Sequence, residues 1–85
     1  MRFDYTKRFK KQYRRLPADI RTRADKQLAF LRENPRHPSL RLKKMAGNKN
    51  RWEVSITMRY RVTLAVVSNT YMLLNVGTHD IVDKK

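Results

Sequence analysis

Between Arg51 and Val76 the chain runs through three segments of alternating character, RWEVSIT, YRVTLAVV and YMLLNV, with only short interruptions between them. Successive side chains of a strand point to opposite faces. Each run therefore has one apolar side, and strands joined this closely fold back on one another as an antiparallel meander. The turns fall near Met58-Arg59 and at Ser68-Asn69-Thr70. Period two assigns Trp52, Val54 and Ile56, then Tyr60, Val62, Leu64 and Val66, then Met72, Leu74 and Val76 to the core face. The other, open face receives Glu53, Ser55, Thr57, Arg61, Thr63, Tyr71, Asn75 and Gly77. Extended geometry continued past Gly77 brings His79 onto the same polar face as Arg61.

A sheet with one apolar face needs a second layer to cover it. The N-terminal sequence supplies one. RFDY alternates charged and aromatic residues and predicts a short strand with Phe3 and Tyr5 on one side. Thr6 can cap the helix that follows, in which Phe9, Tyr13 and Leu16 recur at i, i+4 and i+7. Pro17 suits the first turn of a second helix with Ile20, Ala24, Leu28 and Leu31 on its buried side, and Asn34-Pro35 ends it. The expected fold is α+β, an N-terminal helical hairpin packed on a twisted antiparallel sheet of three to four strands. From Asn34 to Asn50 the composition turns to NPRHPSLRLKKMAGNKN, a long connection with a brief extended piece around Leu40 and Leu42. Long loops in small domains often carry function. No repeat or linker interrupts the chain, so residues 1–85 are expected to form a single domain, near the size at which one core suffices without cross-links.

Charge narrows the function. The chain carries 21 Lys and Arg against 7 Asp and Glu, a net +14. Residues 1–50 hold 16 of the cations and 4 of the acids. A field of this strength points to a polyanionic partner. The absence of cysteine excludes disulfides and thiolate sites, and His37 and His79 are too far apart in sequence to show metal-ligand spacing, so neither metal nor cofactor is expected. No apolar run reaches the length of a signal peptide or membrane span, which leads to the expectation of a cytoplasmic protein.

An imidazole beside a guanidinium on a cationic surface has a specific chemical use. The imidazole can move protons near neutral pH, and the guanidinium can hold a phosphate and offset charge developing on its oxygens. RNA carries its own nucleophile, the 2′-OH, next to each phosphate. The plainer readings make His79 a turn residue and pair Arg61 with Glu53 across neighbouring strands as a surface contact. Glu53 is either that ion-pair partner or a general base.

The order of short strand, helical hairpin, basic loop with Leu40, Leu42 and Gly47, then WEVSITMRYRVT and NVGTHDIVD resembles the RelE/ParE superfamily of bacterial toxin–antitoxin toxins, its RelE-like branch above all. The resemblance spans nearly the whole chain, and Tyr60-Arg61-Val62 and Val76-Gly77-Thr78-His79-Asp80 carry most of it. It implies a metal-free, ribosome-dependent mRNA endoribonuclease that acts in the A site and is held in check by a cognate acidic antitoxin. It further implies catalytic roles for Arg61 and His79, with Arg41, Lys43, Lys44, Lys49, Arg51 and Arg59 binding the RNA backbone. Two alternatives stand beside it: a ParE-like inhibitor of DNA gyrase acting by protein contacts, and a member that binds antitoxin or RNA without catalysis. Leu74-Asn75 occupy the place before Gly-Thr-His where many relatives carry arginine.

Overall fold

A computed structural model of the chain describes residues 2–45, 47 and 50–78. Strand β1 (Arg2–Tyr5) leads into helix α1 (Lys7–Arg14) and helix α2 (Ala18–Glu33). A 3-10 turn (Pro38–Leu40) and strand β2 (Lys43–Lys44) follow, then β3 (Trp52–Ser55), β4 (Tyr60–Val67) and β5 (Thr70–Thr78). The expected α+β architecture is present, but among the described residues the sheet has five strands in the order β1-β5-β4-β3-β2. It is also mixed: β1 lies parallel to β5, while the other pairs are antiparallel. RFDY thus closes one edge of the sheet, a placement that alternation within four residues does not specify.

Local chemistry explains the helix boundaries. Thr6 has extended geometry and its Oγ1 accepts from the Phe9 backbone N–H at 3.0 Å, satisfying one of the free donors of α1. Pro17 stands as the N-cap of α2, and Asn34 ends that helix. The helices bury Phe9, Ala24, Leu28 and Leu31, with Leu16 between them, against Val54, Ile56, Val62, Leu64, Leu73 and Val76 of the sheet. Each such side chain contributes roughly 1.5–3 kcal/mol of apolar transfer before ordering costs are counted. In the long connection the brief extended piece expected around Leu40 and Leu42 begins only at Lys43, and Leu40 instead ends the 3-10 turn, fully buried in the core. The chain leaves it through Arg41, in the left-handed region at φ 48°.

One irregularity changes the face assignment of the last strand. Thr63 pairs with Asn75 but Leu64 pairs with Leu73, leaving Leu74 without an opposite residue. An extra residue of this kind is a β-bulge, and it reverses side-chain parity on its N-terminal side. Tyr71 and Leu73 are therefore the buried residues, and Met72 and Leu74, expected in the core, are only half-buried. Tyr71 is 7% exposed and meets Phe3 edge to face at 5.6 Å, so it is core packing rather than an open-face aromatic. Helix α1 satisfies the backbone around the bulge. Thr6 Oγ1 donates to the Leu74 carbonyl at 3.1 Å, the Thr6 N–H donates to the Leu73 carbonyl at 3.1 Å, and the Val76 N–H donates to Gln12 Oε1 at 2.9 Å.

Candidate nucleic-acid interface

On the sheet face away from the helices, register brings Lys43, Glu53, Thr63 and Asn75 into a row across four strands. The adjacent row is Ser55, Arg61 and Gly77. The shared polarity of these residues follows from period two, and the structure keeps it. Their burial does not match the expected open surface: Glu53, Ser55 and Thr63 are all buried. β3 and β4 are interior strands with neighbours on both sides, so side chains on either face are crowded.

Arg61 and Glu53 lie diagonally across this face. Arg61 Nη1 donates to Glu53 Oε1 at 2.7 Å, and Lys43 Nζ lies 3.7 Å from the same oxygen. The Glu53 side chain is 6% exposed and that of Arg61 19%. The pairing foreseen from sequence is present, but it is a buried, charge-assisted contact rather than a surface one. The carboxylate fixes one edge of the guanidinium. Nη2 makes only a long 3.4 Å contact with the Met58 carbonyl, and the buried Nε has no acceptor among the described residues. A buried donor left unpaired costs roughly 1–3 kcal/mol, which an incoming acceptor can offset by drawing the guanidinium into a new hydrogen-bond set.

Arg61 also lines a cavity of about 120 Å³ together with Ser39, Arg41, Ser55, Thr57 and Met58. Arg41 comes from the residue after the 3-10 turn, and Thr57 and Met58 from the turn between β3 and β4. Ile56 adds an apolar patch to the same hollow, and Met58, 87% exposed, forms an apolar lip on it. Among the cations singled out from sequence, the structure gathers Arg41, Lys43 and Arg61 on this side, while Arg51 and Arg59 are exposed and Lys44, exposed as well, pairs with Trp52 and so has the opposite parity to Lys43. His79 and Lys49 lie outside the described residues.

Sequence reasoning passed over Gln27. It is buried in α2, where its Nε2 donates to the carbonyls of Ser39 at 3.0 Å and Ser55 at 2.9 Å. The signal was available, because Gln27 lies within the stripe formed by Ile20, Ala24, Leu28 and Leu31, and a polar residue on an apolar helix face needs a partner. His37 likewise is more than a loop residue. Its ring stacks on Phe30 with centroids 4.0 Å apart, and Nδ1 accepts from the Ser39 N–H at 3.2 Å. A larger hollow, about 340 Å³, lies on the helical layer between Tyr5, Phe9, Tyr13, Asp25 and Leu28. Its acidic group, Asp25, is engaged by the Tyr13 hydroxyl, and that bond, with burial, pushes the Tyr13 phenol above its ordinary value. No helix among the described residues is long and apolar enough to cross a membrane.

No family model matches the chain, and no curated protein matches it. Solved structures do. YafQ from Escherichia coli superposes with a TM-score of 0.79 at 13% identity, covering 99% of this chain and 100% of its own. The YoeB/ParE toxin from Agrobacterium tumefaciens gives 0.78 at 15% identity over 93% of this chain and 99% of that one. A chain of the RelB-RelE antitoxin-toxin complex from Methanococcus jannaschii gives 0.72 at 22% identity over 93% of both. The chain therefore has the fold of the RelE, YafQ and YoeB/ParE toxins across nearly its whole length. At these identities the likeness is one of fold.

Proposed function

We propose that this chain is the toxin of a type II toxin–antitoxin system, a ribosome-dependent endoribonuclease that cuts mRNA in the A site and is neutralised by an acidic antitoxin. The observation that carries the reading is Arg61, a guanidinium fixed by a buried carboxylate on a polar sheet face, with hydrogen-bonding capacity left over for a phosphate. The toxin fold and the net +14 charge support it. In the proposed reaction the 2′-OH of one nucleotide attacks the adjacent phosphorus, the new bond being 2′-O–P and the broken one P–5′-O. The products are a 2′,3′-cyclic phosphate and a 5′-OH. Arg61 holds the phosphate oxygens as charge builds on them. His79 exchanges protons with the 2′-oxygen or the leaving 5′-oxygen. Lys43, Lys44, Lys49, Arg51 and Arg59 attract the backbone, and Glu53 holds Arg61 in place. The same positive field suits an acidic antitoxin.

The test is to add the protein to translating ribosomes and map mRNA 5′ ends. The native protein is expected to generate codon-phased cuts, and Arg61→Ala and His79→Ala each to reduce them by at least a hundredfold. Absence of cuts with the native protein, or undiminished cutting by both variants, overturns the assignment.

A further inference from the structure

Arg61 by itself is a poor anion site, because its charge is shared with the Glu53 carboxylate 2.7 Å away. A phosphate approaching that pair meets a negative group as well as a positive one. The cavity beside it supplies what is missing. Arg41 lines the same hollow as Arg61 and makes no ion pair among the described residues, whereas Lys43 and Arg61 share the Glu53 carboxylate. Ser39, Ser55 and Thr57 add hydroxyls to the wall. Thr57 Oγ1 accepts from the N–H groups of Arg59 and Tyr60, both at 3.2 Å, which leaves its own proton to donate.

The wall is also braced. Gln27 donates to the carbonyls of Ser39 and Ser55, one on each side of the hollow, and its Oε1 lies 3.4 Å from the Ser39 hydroxyl. His37 caps the 3-10 turn from the other end, its Nδ1 2.7 Å from the same hydroxyl. Arg41, the next residue after that turn, inherits its direction from these contacts.

We propose that the hollow between the 3-10 turn and the β3–β4 turn is a second phosphate subsite, holding the RNA phosphate next to the one on Arg61, with Arg41 as its cation and Gln27 as the positioning residue. This rests on the RNA-cleaving function proposed above. The neighbouring base lies against the exposed Met58.

The experiment measures binding rather than cleavage, using a fluorescent all-2′-deoxy single-stranded oligonucleotide, which cannot react, across a salt series. Each single-strand phosphate contact contributes about 0.7 to the slope of log K against log salt. Arg41→Ala is expected to lower the slope by about 0.7 and the affinity at 0.1 M salt by roughly fivefold. Arg36→Ala, which removes an exposed charge outside the hollow, is expected to change the slope by much less. Gln27→Leu is expected to weaken binding in the native background and to add nothing to Arg41→Ala. Equal slope changes in the Arg41 and Arg36 variants, or effects of Gln27→Leu and Arg41→Ala that multiply, overturn the subsite, as does lack of measurable binding by the native protein. The Arg41 variants stand on an exposed residue and remain informative even if Gln27→Leu fails to fold. A protein that shows the expected slopes but cuts no mRNA overturns the proposed reaction and not the subsite.

Discussion

At the scale of single residues, the Glu53 carboxylate and the Tyr13 phenol show how ionisable groups are set to different tasks. Glu53 is the only acidic residue in an ion pair among the described residues, and both of its partners approach one oxygen. Glu53→Gln keeps the shape but leaves the Arg61 charge without its counterion, which costs on the order of 2 kcal/mol. Urea unfolding should read this loss, and cleavage should fall with it. Tyr13 works in the opposite sense. Its phenol stays protonated to higher pH in the folded chain because it donates to Asp25, and burial adds to the effect. A raised folded value means that this contribution is complete below the ordinary tyrosine range near 10 and is lost as pH climbs through and above it. Unfolding curves between pH 8 and 11 should show a fall in stability in the native protein that is smaller in Tyr13→Phe. Arg61 was legible from alternation, since strand parity alone puts it with Glu53. The burial of the pair was not, because it depends on which strands lie inside the sheet. Arg41 was singled out by resemblance, but its place beside Arg61, after a left-handed backbone step, was not readable, and Gln27 became meaningful only through long-range hydrogen bonds that no local pattern encodes.

At the scale of elements, the joint between α1 and β5 matters most. Thr6 both caps α1 and donates to the carbonyl of the bulged residue Leu74. Thr6→Val removes the cap, about 1 kcal/mol, and also leaves a backbone acceptor unpaired. A total near 2 kcal/mol is expected, against which Thr22→Val, whose hydroxyl only back-bonds to the Ala18 carbonyl on an exposed surface, should change stability little. Chemical denaturation of the two variants checks the difference. Both helices, the three-strand meander and the turn at Ser68-Asn69-Thr70 were readable in the sequence; the structure narrows that turn to Ser68 and Asn69, both at positive φ (45° and 60°), as a two-residue hairpin demands. The parallel seat of β1 on β5 was not readable, since it joins segments at opposite ends of the chain. The bulge was missed for a related reason: YMLLNV holds adjacent apolar residues, so two phases fit it equally well, and packing against Phe3 decides between them.

At the scale of the whole molecule, net charge and the sheet face act together. With +14 to disperse and one carboxylate in ion pairs among the described residues, the folded chain repels itself. Thermal stability should rise with added salt and rise further with a short single-stranded polyanion, because a ligand that favours the folded state stabilises it by mass action. For ~6 phosphate contacts the binding slope should be about −4. A melting temperature indifferent to both would contradict the electrostatic picture. The unpaired residue opposite the Thr63–Leu64 step carries a further consequence for how such chains can diverge. Because it sets which residues of the final hairpin turn inward, trimming or lengthening the chain by one position between Leu73 and Val76 would exchange interior for exterior along the whole preceding segment. Substitutions there are survivable where length changes are not. Variation in chain length among proteins sharing this architecture should accordingly collect in the connection before β3 and spare the last strand.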